Sequence, residues 1–224
     1  MFNQNFNPRS VTFNLIFINV IFFIVNQFVG EKMVEYCALF YPASQYFKPV
    51  QLITHMFMHG GLAHIFFNMF ALFMFGMVLE RIWGPKRFLL FYFITGLGAA
   101  FLHIAVQAFI VHNYTGSFNP PMQSVMEYTQ LAELYVTPTV GASGAIFGIL
   151  VAFGMLFPNT ELIMLFFPIP IKAKYFVTGY VLLELYEGIR MNPGDNVAHF
   201  AHLGGALFGF ILVKLWSRNR DYLY

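Results

Sequence analysis

Several polar side chains stand inside long apolar runs of this chain: His64, Asn68, His103, Ser143, Glu184, His199 and His202. Placing such groups in hydrocarbon is costly, which makes each a functional candidate. Their types fit acyl transfer. A serine becomes a nucleophile when a base takes its proton, and histidine is the usual base. The tetrahedral intermediate then needs donors aimed at its oxyanion, which Asn, His and helix N-terminal N–H groups supply. Ser143 opens an apolar stretch, so it is predicted at a helix start with free backbone N–H groups around it. His64 and Asn68 lie at i and i+4, on one helical face, and supply side-chain donors. His202 supplies the base. It shares a face with Gly205 and Gly209, while Gly144 and Gly148 make a matching small pair below Ser143. Small faces let helix backbones approach closely, as a Ser–His hydrogen bond requires. Phe147, one turn below Ser143, is placed to stack on the histidine ring.

Each residue also has a plainer reading. Ser143 alone reads as a helix cap, His202 as a core histidine bonded to a carbonyl, and His64 and Asn68 as interhelical glue. His55 and His59 have the i, i+4 spacing of a zinc pair. Met56 follows His55 where a metalloprotease motif needs glutamate, and no Cys or carboxylate nearby completes four ligands, so a loop-fixing role is expected and no metal. His199 lies three residues before His202 without the small-residue face. His103 and Glu184 are expected to bond to neighbouring helices, with a gate role the alternative for Glu184. Asp195 is expected to be solvated or to cap a helix, and Glu80 and Arg81 to tie down a loop.

The elements that position these groups follow from composition. Of 224 residues, 58% are apolar, 10% charged and 20% aromatic, against about 25% charged in soluble domains. A water-soluble, collagen-like or disordered chain is excluded. The net charge of +2 gives no argument for nucleic acid, and the one cysteine, Cys37, allows no internal disulfide. The length suits one membrane domain. A span needs about 20 apolar residues, and six stretches qualify, roughly 11–29, 62–82, 87–112, 143–157, 175–190 and 198–216. The first lacks a small-x-small cleavage site and reads as a retained helix. Gly84-Pro85, Pro158-Asn159, Pro168, Pro170 and Asn192-Pro193-Gly194 punctuate the others. Residues 30–61 read as a structured, aromatic-rich loop resting in the interface, and 113–139 as an exposed loop with one short helix.

Six spans put both ends on one side. That side holds Arg9, Arg81, Lys86, Arg87, Lys172, Lys174, Lys214, Arg218 and Arg220, against Lys32, Lys48 and Arg190 on the other, so both termini are expected in the cytoplasm. The 30–61 and 113–139 loops and the 191–197 turn then face outside. At about 1.5 Å per residue, Asn68 lies about 20 Å above Arg81, Ser143 about 21 Å above Phe157 and His202 about 18 Å above Lys214. Three polar groups on three spans therefore share one depth.

These residues resemble the rhomboid family of intramembrane serine proteases, in its six-helix bacterial form. Gly141-Ala142-Ser143-Gly144 matches the serine motif, His64-Ile65-Phe66-Phe67-Asn68 the oxyanion motif, and Ala201-His202-Leu203-Gly204-Gly205 with Gly209 the histidine motif. The resemblance covers roughly residues 10–216. It implies an all-α six-helix bundle, with a protease domain at 11–216 between cytoplasmic tails at 1–10 and 217–224, in the inner cell membrane. It implies a Ser143–His202 dyad without an acidic third member, and an oxyanion hole of His64, Asn68 and the Ser143 N–H, with Gly141 permitting close approach there. Family members cut transmembrane segments near the outer side and use no cofactor. The implied partners are transmembrane substrates and the bilayer, with access between the second and fifth helices and water entering under the 191–197 turn.

The chain departs from the family in places. Val50-Gln51 stands where many members carry Trp-Arg, which puts loop anchoring in question, and Phe147 replaces a Tyr of some members. The competing readings are a non-catalytic rhomboid-like protein that binds transmembrane clients, a haem or metal protein built on His55, His59, His64 and His202, and a transporter, whose paired halves are not found here.

Overall fold

The computed structural model describes residues 10–164, 167–190 and 198–218. The expected 191–197 turn with Asp195, the expected water path under it, and the expected cytoplasmic tails apart from Ser10, Ser217 and Arg218 lie outside the described residues.

The first apolar run forms α1 (Val11–Val29). Its exposed N–H groups meet a carboxylate from another helix: Glu80 accepts from Val11 N, Thr12 N, Thr12 Oγ1 and Ser10 Oγ at 2.7–2.8 Å. Glu80 thus caps a helix, and its negative charge suits the positive end of the dipole. The long loop folds into α2 (Glu31–Cys37), α3 (Gln51–Thr54) and a 3₁₀ turn, His55–Phe57. The second run is α4 (Leu62–Ala71), a π turn at Leu72–Gly76 and α5 (Met77–Trp83).

Next comes α6 (Pro85–Thr115), longer than its apolar core and started by Pro85 at the first turn. The 113–139 segment is more ordered than expected. It holds two short helices, α7 (Met122–Met126) and α8 (Thr129–Val136), whose Val125, Leu131 and Tyr135 bury against Tyr41 and Val111. Leu39 and Thr139 then pair as a backbone bridge.

After that bridge the chain starts α9 (Ser143–Leu156), buried along nearly all of its length. At 14 residues it is about 21 Å long, because its N-terminus begins inside the bundle. Irregular backbone at such depth is tolerated where protein surrounds it. An unanticipated antiparallel hairpin follows, β1 (Glu161–Met164) with β2 (Phe167–Lys172), in the register Glu161 to Lys172. The last two helices are α10 (Ala173–Arg190) and α11 (His199–Arg218).

The fold is an all-α membrane bundle carrying this one small hairpin. Among the described residues four helices are long and apolar enough to span, Val11–Val29, Leu62–Trp83, Pro85–Thr115 and His199–Ser217, and Ser143–Leu156 is a shorter apolar helix. The remaining helix, α10, carries Lys174, Glu184, Glu187 and Arg190. Large apolar side chains of α1 such as Phe17 and Phe28 stay exposed, as a lipid-facing surface requires.

Candidate active site

Ser143 is the first residue of α9. The cap before it is Ala142, which offers no side-chain hydrogen bond, so Ser143 is not the N-cap. Its Oγ–H instead donates to Nε2 of His202 on α11 at 2.8 Å. The approach depends on glycine. A Cβ on Gly205 would run into the Gly144 carbonyl, and one on Gly209 would lie 2.7 Å from the Gly148 Cα. No larger residue fits between α9 and α11 at these points. Phe147 stacks on the His202 ring, with centroids 4.3 Å apart and planes 11° from parallel. The imidazole is held by its face as well as its edge.

The other edge of that ring meets a carboxylate. Glu184 on α10 is buried, and its Oε2 accepts from His202 Nδ1 at 2.8 Å and from His199 Nδ1 at 2.7 Å. The expected bond from Glu184 to a neighbouring helix is present, and its partner is His202 itself. The resemblance implies a dyad with no acidic group; here a carboxylate touches it. The sequence held a signal for this. Glu184 lies ten residues above Lys174, about 15 Å, within one turn of the depth of His202.

Opposite Ser143, His64 and Asn68 come in from α4. The Gly60 N–H points at His64 Nδ1 at 3.4 Å. A ring nitrogen that accepts leaves the other to carry the proton, so His64 Nε2 is a donor. It faces Gly141, whose φ is 133°. A Cβ there would sit 2.9 Å from His64 Nε2 and 3.4 Å from Ser143 Oγ, so a side chain would be strained and would fill the space beside Ser143. The Gly141 N–H donates to the His55 carbonyl at 2.9 Å, which fixes this loop. Asn68 is buried, and its Nδ2 has no hydrogen-bond partner among the described residues. A buried donor without a partner costs stability, and this one lines the same cavity as Ser143. The first hydrogen bond within α9 runs from Ile146 N to Ala142 O. The Ser143, Gly144 and Ala145 N–H groups therefore lack a carbonyl one turn earlier in the helix.

The remaining histidines have other positions. His55 Nδ1 donates to Gln51 O at 2.7 Å. His59 lies edge-on to His64 with centroids 5.0 Å apart. Burial holds the His55 imidazole down at about 4, and burial with the neighbouring His64 does the same for His59, so both are neutral at physiological pH. His103 bonds to Thr139 Oγ1 at 2.8 Å, in the segment leading to Ser143 rather than on another helix. Among the described residues no group of three or more His, Cys, Asp or Glu side chains is placed to hold a metal.

The loop at Val50-Gln51 is anchored after all. Gln51 is fully buried. Its Nε2 donates to the Glu35 and Tyr46 carbonyls at 2.8 and 2.9 Å, and its Oε1 accepts from Lys48 N at 3.0 Å. A neutral amide ties the loop where the family often uses a cationic pair.

The site opens into a cleft of about 2190 Å³. Phe67, Phe70 and Met74 line one wall, and Phe176 and Tyr180 of α10 the other. Phe67 and Phe70 are largely exposed. The Ser143–His202 pair opens into this cleft, which is lined mainly by apolar side chains.

Residues 46–219 match the Rhomboid domain family. The chain is 33% identical to RHOMBOID-like protein 12, mitochondrial, of Arabidopsis thaliana, over 75% of this chain and 46% of that protein. It is 29% identical to Rhomboid protease AarA of Providencia stuartii, over 70% and 52%. It is 26% identical to Rhomboid protein 1, mitochondrial, of Saccharomyces cerevisiae, over 77% and 44%. The chain thus spans about half the length of these curated relatives. They come from plant, yeast and bacterium, so the comparisons do not single out a bacterial form. With the serine, oxyanion and histidine motifs meeting around one cleft in a multi-pass membrane bundle, this chain belongs to the rhomboid family.

Proposed function

We propose that the protein is an intramembrane serine endopeptidase that cleaves transmembrane segments of other membrane proteins near their outer end. The observation that carries this reading is the 2.8 Å hydrogen bond from Ser143 Oγ to His202 Nε2 inside an apolar bundle. Ser143 Oγ attacks the scissile carbonyl carbon while its proton passes to His202 Nε2. The new oxyanion is held by His64 Nε2–H, Asn68 Nδ2–H and the Ser143 N–H, donors already in place before substrate arrives. As the C–N bond breaks, His202 returns the proton to the leaving amine, and an acyl-enzyme remains on Ser143. Water then attacks through the same base and hole. Every step draws on protein groups and water.

The protease unit is residues 11–216, in the inner cell membrane with both termini cytoplasmic. Substrate enters sideways between α4 and α10, against Phe67, Phe70, Phe176 and Tyr180. The scissile stretch must unwind to expose its carbonyl, so helix-breaking Gly or Pro in the substrate favours cleavage.

Fluorophosphonate labelling of the purified protein in detergent tests the reading without a known substrate. Wild type should label, and Ser143→Ala and His202→Ala should not. Labelling that persists in Ser143→Ala names the wrong nucleophile. Absence of wild-type labelling in a folded sample leaves the client-binding alternative.

A further inference from the structure

We propose that Glu184 is the positioning residue of this site, which makes the arrangement a Glu184–His202–Ser143 triad rather than a bare dyad. The inference rests on the protease reading above and adds a third helix, α10, to the chemistry.

The argument begins with what a carboxylate can do. Ionised, it only accepts hydrogen bonds. Glu184 Oε2 lies 2.8 Å from His202 Nδ1, so Nδ1 carries the hydrogen. In the neutral ring that leaves Nε2 bare, and Nε2 is the atom 2.8 Å from Ser143 Oγ. The carboxylate therefore selects the tautomer that is able to accept the serine proton. With the opposite tautomer Nε2–H faces Ser143 and the base is lost.

Position is fixed as well. The Phe147 ring stops His202 tilting, while Glu184 and Ser143 pin its two edges. His199 donates to the same carboxylate oxygen at 2.7 Å and holds that oxygen against rotation.

A third effect falls on the transition state. His202 becomes an imidazolium there, inside an apolar bundle where a lone cation is poorly solvated. The neighbouring carboxylate offsets that charge. Glu184 stays ionised throughout; the proton goes from Ser143 to Nε2 and no further.

A structural strut between α10 and α11 would leave the same hydrogen bonds, so the test separates the two roles. Fluorophosphonate inactivation is run on wild type, Glu184→Gln and Glu184→Ala, with the saturating rate and the half-saturating concentration fitted separately and the unfolding temperature measured beside them. Gln keeps the shape and one acceptor but removes the charge, and its amide NH₂ is able to stabilise the wrong tautomer. The expected result is a saturating rate lower by on the order of 10²-fold or more in Glu184→Gln, with the half-saturating concentration and unfolding temperature near wild type. A Glu184→Gln rate within threefold of wild type overturns the proposal while leaving the protease reading intact. A fall in rate that tracks a lowered unfolding temperature in variants that still fold assigns Glu184 to structure and also overturns it. Should both variants fail to fold, ¹⁵N NMR of histidine-labelled wild type decides. A protonated Nδ1 and a bare Nε2 at His202 support the proposal, and the opposite pattern ends it. If wild type does not label at all, or labels through a residue other than Ser143, both readings fall together.

Discussion

Asn68 carries a tension between stability and chemistry that is open to measurement. Its Nδ2 is buried without a partner among the described residues, which costs the resting protein free energy. In the mechanism proposed above, a developing oxyanion is the partner it lacks. Asn68→Ala should lower the rate of fluorophosphonate inactivation by about 10²-fold, while the unfolding temperature holds or rises; a lower unfolding temperature at unchanged rate would make Asn68 a structural residue. Gly141 belongs to the same scale. With φ at 133° and His64 Nε2 at 2.9 Å from a built Cβ, Gly141→Ala should cost activity at least as heavily, by displacing His64 or Ser143. Most of this site was legible in the sequence because polar groups in apolar runs have few innocent explanations. Glu184 was seen, but its partner was not. A carboxylate in mid-helix has several neighbours within one turn, and sequence alone does not choose His202 among them.

Helices set the distances that these residues need. The α9–α11 contact is a seam of glycines, and Gly205 meets the Gly144 backbone directly. Gly205→Ala should force the helices apart, lower stability by about 1–3 kcal/mol and lengthen the Ser143–His202 bond enough to abolish labelling. Thermal unfolding in detergent and labelling check both halves. Glu80 offers a control away from the site. Glu80→Gln removes a charged acceptor of four hydrogen bonds to the start of α1 and should destabilise by about 1.5–3 kcal/mol with the labelling of folded protein unchanged. The glycine pattern was readable because its period fits one helix face. The π turn at Leu72–Gly76 and the β1–β2 hairpin were not. A π turn is one extra residue inside an otherwise regular run, and Pro168 and Pro170 read as breaks before they read as strand.

The bundle as a whole orients the site relative to the two faces of the membrane. On the topology proposed above, the asymmetry of Lys and Arg puts the loops near Lys86 and Lys172 inside and the 113–139 segment outside. With Cys37 replaced by Ser, single cysteines introduced at Lys86 and Asn119 should separate cleanly. An impermeant maleimide on intact cells should label the Asn119 position, and the Lys86 position only after lysis. The reverse pattern would invert the protein and put cleavage at the other face. Membrane residence followed directly from composition. The packing of α7 and α8 over Tyr41 did not, since that core joins segments about ninety residues apart through aromatic contacts that no local pattern announces.

The order in which the helices leave the ribosome gives the Ser143–His202 bond a further meaning. Ser143, His64, Asn68 and Glu184 all precede His202 in the chain, and His202 lies on the last described helix. Throughout synthesis, a nascent chain threaded among other newly inserted segments holds a serine with no base to activate it. The seam between α9 and α11 closes only when α11 is in place. On the protease reading proposed above, assembly order therefore acts as a timer: a chain still lacking α11 is inert toward its neighbours in the translocon, and the hydrolytic site appears in one step when α11 docks.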